Sequence, residues 1–542
     1  MQTIPDKGVT ERIGDEPPIR NIEKRGARLV RFLVPSARDI IFIFLFWSVL
    51  AGTLSNRPLA DPDIGWHIRT GELMLQTHSI PRTDPFSSTM QGQPWFAWEW
   101  LYDVGLGILH KYAGLNGVNW ICAVLVASTF TLLLSELIKR GSGLLLAIVL
   151  MLFSECAAIV HLFARPHIAS WLFTLLWFIA LEYWRQGTGP RWLPWVFPLS
   201  MLWWVNLHGG WIVGLLLLAI YTFSATVESW RVTDAFEAVR WAHRARSMAL
   251  WWVASAIATL VNPFGWRLYA HIYGYLGNRY LMNRIEEFHS PNFHFWPARC
   301  FGILIVLTLV AFAIRPRRVL LVQLLVVLFS IYAGLISSRN LPVSSMLLAL
   351  IAGPMLWKSF TSLASRPGPW PWLSARVGGF VEFSERMGAQ ELQLRGHVWP
   401  IVVVIFGLVI CLHGGDVSGR QLVHAHFDSK SLPVAAVDFL EKEQGTDPIF
   451  STDSWGGYLI YRLYPQRLVV IDDRHDLYGS ERVRQLLVLM QGEPAWRRTL
   501  DDLRARTTLL PAKSTLASLL REIPQEWELK YEDSVAVIFE KR

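Results

Sequence analysis

Long apolar runs recur along the chain, each closed by polar or basic residues. A bilayer core of about 30 Å needs about 17–25 apolar residues per helix. Runs at 40–54, 118–137, 143–161, 167–184, 193–207, 211–228, 248–262, 299–314, 318–336, 341–357 and 397–413 approach that length and predict membrane spans. Residues 98–113 form a shorter, weaker run, which either crosses or stays at the surface. The pattern predicts an all-α polytopic membrane domain of about 11–12 helices. The period changes after residue 413. Ile449-Phe450-Ser451 and Leu468 to Ile471 predict buried strands, 455–463 and 479–490 predict helices, and Val535 to Phe539 predicts a closing strand. Residues 414–542 therefore predict a C-terminal α/β domain. It has no GxGxxG after a strand, so nothing in it points to nucleotide binding.

Charge orients this layout. The segments around Lys139-Arg140, Arg185 with Arg191, Arg231 to Arg246, Arg315 to Arg318, and Lys358 to Arg395 are basic, as cytoplasmic loops are. Arg25, Arg28, Arg31 and Arg38 hold the polar segment 1–38 as a cytoplasmic tail. The first apolar run starts too late for a cleavable signal peptide. The spans then occupy 39–413, in an inner (cytoplasmic) membrane. Keeping the basic loops inside requires that 98–113 does not fully cross. Three segments then face outward: a loop at 55–115, a second at 262–298, and the domain 414–542.

Composition agrees. The 542 residues are 52% hydrophobic and 17% charged, against about 25% charged in soluble proteins. The 27 Trp recur near the ends of apolar runs, where an amphipathic ring sits at a membrane interface. The formal charge of +8 fits inside loops. Without a continuous basic block or an aromatic-basic RNA motif, no nucleic-acid partner is expected. The 4 cysteines, Cys122, Cys156, Cys300 and Cys411, lack metal-ligand spacing and read as small lipophilic side chains.

The densest polar cluster lies in the first outer loop. It opens with Asp61-Pro62-Asp63-Ile64-Gly65-Trp66-His67, continues through Gly71-Glu72 and Pro81 to Ser87, and ends Pro94-Trp95-Phe96-Ala97-Trp98-Glu99-Trp100. A carboxylate here can act as a general base on a hydroxyl, or help hold a divalent cation such as Mg or Mn. Asp61 and Asp63 can equally cap a short helix starting near Ile64. His67 and Glu99 are candidate substrate-binding residues of the same cluster.

A second cluster, Asn206-Leu207-His208-Gly209-Gly210-Trp211, sits between two runs. There His208 either caps a carbonyl or faces a ligand. A third begins at Asn262-Pro263-Phe264-Gly265 and carries Arg267, Arg284, Glu286, Glu287 and His289. Arg267, Arg284 and Arg339 are candidates for stabilising a leaving phosphate; each can instead snorkel at a span end. Glu155 lies inside a run and is expected to pair with Arg165 or His161. Asp472-Asp473-Arg474-His475-Asp476 follows a predicted strand and reads first as a turn capping the next helix, second as a site.

An Asp-x-Asp just after the first span resembles the signature of the GT-C glycosyltransferase superfamily. That group includes protein O-mannosyltransferases, aminoarabinose transferases and oligosaccharyltransferases. The resemblance rests on Asp61-Pro62-Asp63, on Glu99-Trp100-Leu101 opening the next apolar stretch, and on the order of spans with an outer C-terminal domain. It implies transfer of a sugar from a polyprenyl-phosphate donor to a glycan, lipid or protein acceptor at the outer face, with inversion and with Asp63 or Asp61 as base. The Trp-Trp-Asp signature of oligosaccharyltransferases is missing; Ser454-Trp455-Gly456-Gly457-Tyr458 stands nearest to it, which disfavours asparagine-linked transfer. The competing reading is a non-enzymatic lipid or polysaccharide transporter, or an envelope assembly scaffold. No repeat between halves and no Walker motif supports it.

Overall fold

The computed structural model describes residues 33–314, 319–365, 371–394, 397–443 and 445–542. Most of the 1–38 tail and the basic residues 315–318 lie outside the described residues.

Every predicted run falls on a helix. They are Ala37–Leu50, Trp100–Lys139, Leu144–Ala158, His167–Gln186, Val196–Leu207, Trp211–Arg231, Ala235–Ala258, Trp296–Ala313, Leu321–Ile336, Leu341–Ser365 and Val398–Leu412. Among the described residues 5 helices are long and apolar enough to cross a membrane, and shorter apolar helices accompany them. Phe44, Leu152, Phe223, Leu250, Val306 and Ile405 stay exposed on the outside of the bundle, a surface suited to lipid and unsuited to water. The chain is a multi-pass membrane protein.

Local chemistry sets the helix ends. At the start of Ala37–Leu50, Ser36 and Asp39 form a reciprocal capping box. Glu391, near the end of the helix Pro371–Gln393, accepts Ala37 N at 2.7 Å and Arg38 Nε at 2.6 Å. His397, at the start of Val398–Leu412, meets Asp39 at 2.9 Å. These termini thus share one end of the bundle.

The weaker run at 98–113 is set off from the span that follows it. Gly114 (φ 57°, ψ −152°) breaks Trp100–Lys139, a conformation that glycine adopts without steric cost. The start of the first segment meets the helix Val196–Leu207, and its far end meets the C-terminal domain. Trp100 Nε1 donates to Asn206 at 2.7 Å, His110 meets Tyr461 Oη at 3.0 Å, and Asn116 accepts from Ala425 N at 2.8 Å.

The C-terminal region holds a four-stranded sheet of order β3-β4-β6-β5, where β3 is Ile449–Ser451, β4 Thr507–Pro511, β5 Trp527–Glu532 and β6 Ala536–Lys541. The hairpin strands β1 (Asp416–Val417) and β2 (Arg420–Gln421) precede it. β3 and β4 run parallel; β6 is antiparallel to both its neighbours. Two expectations change. The closing strand at 535–539 is internal, because Trp527–Glu532 takes the edge. Residues 468–471 form single bridges and no regular strand: Val469 pairs with Ile449 on one side and Ser87 on the other. Ser88 N donates to Val469 O at 2.9 Å, and Thr89 Oγ1 to Val470 O at 2.6 Å. The first outer loop thereby extends the sheet of the C-terminal domain.

Glycines make this junction tight. A Cβ on Gly457, in the helix Asp453–Leu463, would lie 2.5 Å from Pro62 O and 2.8 Å from Asp63 Cα. Gly65, on the facing helix Ile64–Thr77, would strike the Gly457 carbonyl in turn.

Candidate active site

The segments 55–115, 262–298 and 414–542 converge. Asp61, Asp63, Glu287 and Asp473 surround Arg165, which enters from the turn between Leu144–Ala158 and His167–Gln186. Arg165 Nη1 lies 2.8 Å from Asp61, 3.1 Å from Asp63 and 3.3 Å from Glu287. Glu287 also faces Arg339 Nη1 at 3.6 Å. Burial raises the Glu287 pKa, but Arg165 and Arg339 outweigh it and hold the carboxyl well below the usual range.

Asp63 occupies the N-cap position of Ile64–Thr77 and makes no side-chain capping bond there. The capping expectation for Asp63 is therefore not met. The capping-type contact belongs to Asp61, whose Oδ1 accepts Asp63 N at 3.0 Å. The Asp63 carboxyl is buried and turns instead to Arg165 and Asp473, with which it shares a hydrogen bond. Burial, then the charges of Asp473 and Asp61, push Asp63 well above the usual carboxylate range. Burial likewise takes Asp473 up to about 7. Like charges this close cannot both ionise cheaply, so the pair keeps one proton near neutrality.

Asp473 was expected first in a turn. Its neighbours do form one. Asp472 holds Arg474 at 2.7 Å and Tyr478 Oη at 2.8 Å, and Arg474 reaches Asp84 of the first outer loop at 2.8 Å. That buried network clamps the loop to the domain and aims Asp473 at Asp63. His475 pairs with Asp453 at 3.0 Å, and Asp476 with His271 at 3.0 Å.

Asp63, Glu99, Arg165, Arg339 and Asp473 line one cavity of about 80 Å³, walled by Trp66, Trp95 and Trp98. Glu99, Arg339, Trp98 and Tyr275 also line an adjoining groove of about 220 Å³. This groove holds His208 and is otherwise largely apolar, with Ile212, Val213, Ile272, Leu276 and Val343. Gly210 N donates to His208 Nδ1 at 3.0 Å. Ser170 Oγ lies 2.8 Å from the same nitrogen, and the other ring nitrogen, Nε2, faces Arg339 at 3.4 Å and Glu99 at 3.7 Å. Burial lifts Glu99 to about 7 despite Arg165 and Arg339.

The remaining sequence candidates fall elsewhere. His67 is fully buried and bonds Asp103 at 2.7 Å, with Nε2 3.8 Å from Glu99. Arg267 lines a separate cavity of about 280 Å³ with Arg82, Trp95 and Phe264. Arg284 is exposed, stacks over Tyr280, and lines neither cavity of the acid cluster. Glu155 forms neither of its expected pairs among the described residues; Arg165 is engaged by the acids instead. The sequence named Arg165 only as a partner for Glu155, Glu287 only as a member of the third cluster, and Asp473 only second as a site residue. The only signals were Arg165 beside Pro166 in a turn between apolar runs, and the charge density at Glu286-Glu287 and Asp472-Asp473.

A divalent cation does not fit these acids as they stand. Arg165 already lies between them, and among the described residues no group of three or more His, Cys, Asp or Glu is arranged to hold a metal.

No protein family matches the sequence, and no curated protein matches it. Solved structures do resemble it. The oligosaccharyltransferase AglB of Archaeoglobus fulgidus, in complex with an inhibitory peptide and a dolichol-phosphate, superposes with TM-score 0.53 at 11% identity, over 88% of this chain and 69% of that one. The Archaeoglobus fulgidus enzyme tethered to an acceptor peptide gives 0.52 at 11%, over 93% and 74%. ArnT of Cupriavidus metallidurans bound to undecaprenyl phosphate gives 0.46 at 14%, over 92% and 97%. The chain has the GT-C fold. The helical membrane domain followed by a C-terminal domain with a small sheet is the GT-C arrangement expected from Asp61-Pro62-Asp63 and the order of spans.

Proposed function

We propose that the chain is a membrane glycosyltransferase that moves a sugar from a polyprenyl-phosphate donor to an acceptor hydroxyl. The observation that carries this reading is the junction of two spaces: a cavity with a buried, uncapped carboxyl pair opens onto an apolar groove headed by Arg339 and His208. The AglB complex with its dolichol-phosphate supports a lipid-linked ligand for such a groove.

In this reading the polyprenyl chain lies along Ile212, Val213, Ile272 and Leu276, and the phosphate meets Arg339 and His208 Nε2. Glu99 holds a proton readily at neutral pH, so it can stand beside a phosphate and donate to it. The acceptor hydroxyl attacks the anomeric carbon. The new oxygen–carbon bond forms as the carbon–oxygen bond to phosphate breaks, with inversion. The hydroxyl proton passes to the ionised member of the Asp63–Asp473 pair, and the charge left on the phosphate rests on Arg339 and His208. Asp61 positions Arg165 and the Asp63 backbone. The acceptor is a glycan, lipid or protein. In this reading the N-terminus lies in the cytoplasm and the C-terminal domain outside the inner membrane, which the basic residues at the helix ends support. The test is transfer by the purified protein in lipid, offered a panel of polyprenyl-phosphate sugars. Transfer from none of them overturns the assignment and favours the transporter or scaffold.

Two variants probe the geometry. Asp473 raises Asp63 through its charge and its hydrogen bond, so Asp473→Asn lowers the Asp63 pKa. The acidic limb of kcat/KM then moves to lower pH, because Asp63 ionises earlier. An unmoved limb uncouples the two residues. Gly457→Ala pushes the Asp63 backbone away from its place. Overpacking of this kind costs about 1–3 kcal/mol, and displacement of a reacting group by about 1 Å costs about 10²-fold in rate. Gly274→Ala, with nothing within 4 Å of the new Cβ, is the control and leaves both unchanged.

A further inference from the structure

The largest of these cavities, of about 600 Å³, is not at the acid cluster. It lies at the other end of the bundle. Five helices line it, and three of them, His167–Gln186, Trp211–Arg231 and Leu341–Ser365, also line the outer groove nearer their N-terminal ends. Trp100–Lys139 brings Glu136 and Arg140, His167–Gln186 brings Glu182 and Arg185, Trp211–Arg231 brings Tyr221, Leu321–Ile336 brings Val322 and Val326, and Leu341–Ser365 brings Leu350, Ile351 and Lys358. From Asn116 to Arg140 a helix rises about 36 Å, a bilayer thickness of about 30 Å and slightly more.

The polar wall is built. Glu182, nearly buried, accepts Arg185 Nε at 2.9 Å, Arg140 Nη1 at 3.3 Å and Tyr221 Oη at 2.7 Å. Arg140 also holds Glu136 at 2.8 Å. These bonds fix both guanidinium groups in place yet leave Arg140 Nη2 and Arg185 Nη1 without a hydrogen-bond partner among the described residues. Lys139 and Lys358 add exposed ammonium groups at the same cavity, with no acidic partner among the described residues. Four cations thus face two acids. A preset fork of N–H donors with an excess of positive charge suits a phosphate oxyanion. The opposite wall, Val322, Val326, Leu350 and Ile351, is apolar, which a free anion would not use and acyl chains would.

We infer that this cavity binds the phosphate headgroup of an anionic membrane lipid, in the leaflet opposite the acid cluster. The site holds Arg140 and Arg185 as anchors and Lys139 and Lys358 as outer cations, and it is separate from the groove that takes the donor. It stands whatever reaction occurs at the other end. A basic pocket between helices at the cytoplasmic end of a membrane protein is a usual place for such a headgroup.

Native mass spectrometry of the full-length protein tests it, with phosphatidylglycerol or phosphatidylcholine supplied in mixed micelles. The wild type retains phosphatidylglycerol preferentially. Lys139→Ala/Lys358→Ala, at exposed positions that do not perturb folding, weakens that retention by about tenfold or more. Lys111→Ala, at the other end of the bundle, leaves it intact. Equal retention of the two lipids, equal loss in Lys111→Ala, or no loss in the double variant overturns the inference. So does displacement of the lipid by millimolar inorganic phosphate, which would make this a site for the free anion.

Discussion

Asp63→Asn lowers turnover by about 10²–10⁴-fold and leaves donor binding in place. Asn keeps the shape and a hydrogen-bonding oxygen but breaks the shared-proton carboxyl pair that takes the proton of the attacking hydroxyl. The usual objection, loss of a helix cap worth about 0.5–2 kcal/mol, carries little weight here, because the Asp63 side chain makes no capping bond. Asp61→Asn acts differently. Its Oδ1 accepts Asp63 N at 3.0 Å and its Oδ2 meets Arg165 at 2.8 Å; an amide keeps the first contact and weakens the second. A smaller loss of turnover follows, through placement of Arg165. The measurement is sugar release from a polyprenyl-phosphate donor with kcat and donor affinity read separately. Full turnover by Asp63→Asn at normal expression removes the base assignment, and an equal loss of affinity would mean that Asp63 binds the donor.

The sequence shows the fold more readily than the site, and particular residues explain why. Each apolar run is a local signal, so the helices were legible, while the break at Gly114 after the weak run at 98–113 was not. Asp61 and Asp63 were legible because their meaning comes from one neighbour, the first span. Arg165 was not. Its partners at 61, 63 and 287 lie more than a hundred residues away or follow a different helix, and the nearest acid in sequence, Glu155, is the wrong one. Arg267, Arg284 and Arg339 look alike as sequence, each close to a helix end. Only the tertiary path of the two turns separates Arg339, which enters the groove beside His208, from Arg284, which stays outside over Tyr280. Asp473 was weighed as a cap because acids after a strand commonly are caps. Its role depends on the pairing of Asp472, Arg474 and Asp84 across two segments, which no local pattern encodes.

Arg165→Met has the largest effect on folding. One nitrogen of this side chain serves Asp61, Asp63 and Glu287 together. Removing it leaves three buried or half-buried acids without their shared cation. Breaking a buried charge network by deleting one partner costs about 3–5 kcal/mol, enough to lower expression as well as activity. The pH dependence identifies the cause. In the wild type, Glu287 has a depressed pKa, so its contribution to stability is present above its unfolded value of about 4.3 and is lost as pH falls through the folded value. Without Arg165 the acids rise, the folded state binds more protons than the unfolded one, and stability falls as pH increases. Thermal melts of Arg165→Met therefore improve between neutral and mildly acidic pH by more than those of the wild type, in which Arg165 and Arg339 keep Glu287 ionised. Arg165→Lys keeps a charge on a flexible stem and recovers much of the stability. It recovers less of the turnover, since an ammonium lacks the planar fork that fixes the three carboxylates together. A variant as stable as the wild type at every pH would show that the acids do not depend on Arg165, and would dissolve the cluster on which the proposed chemistry rests.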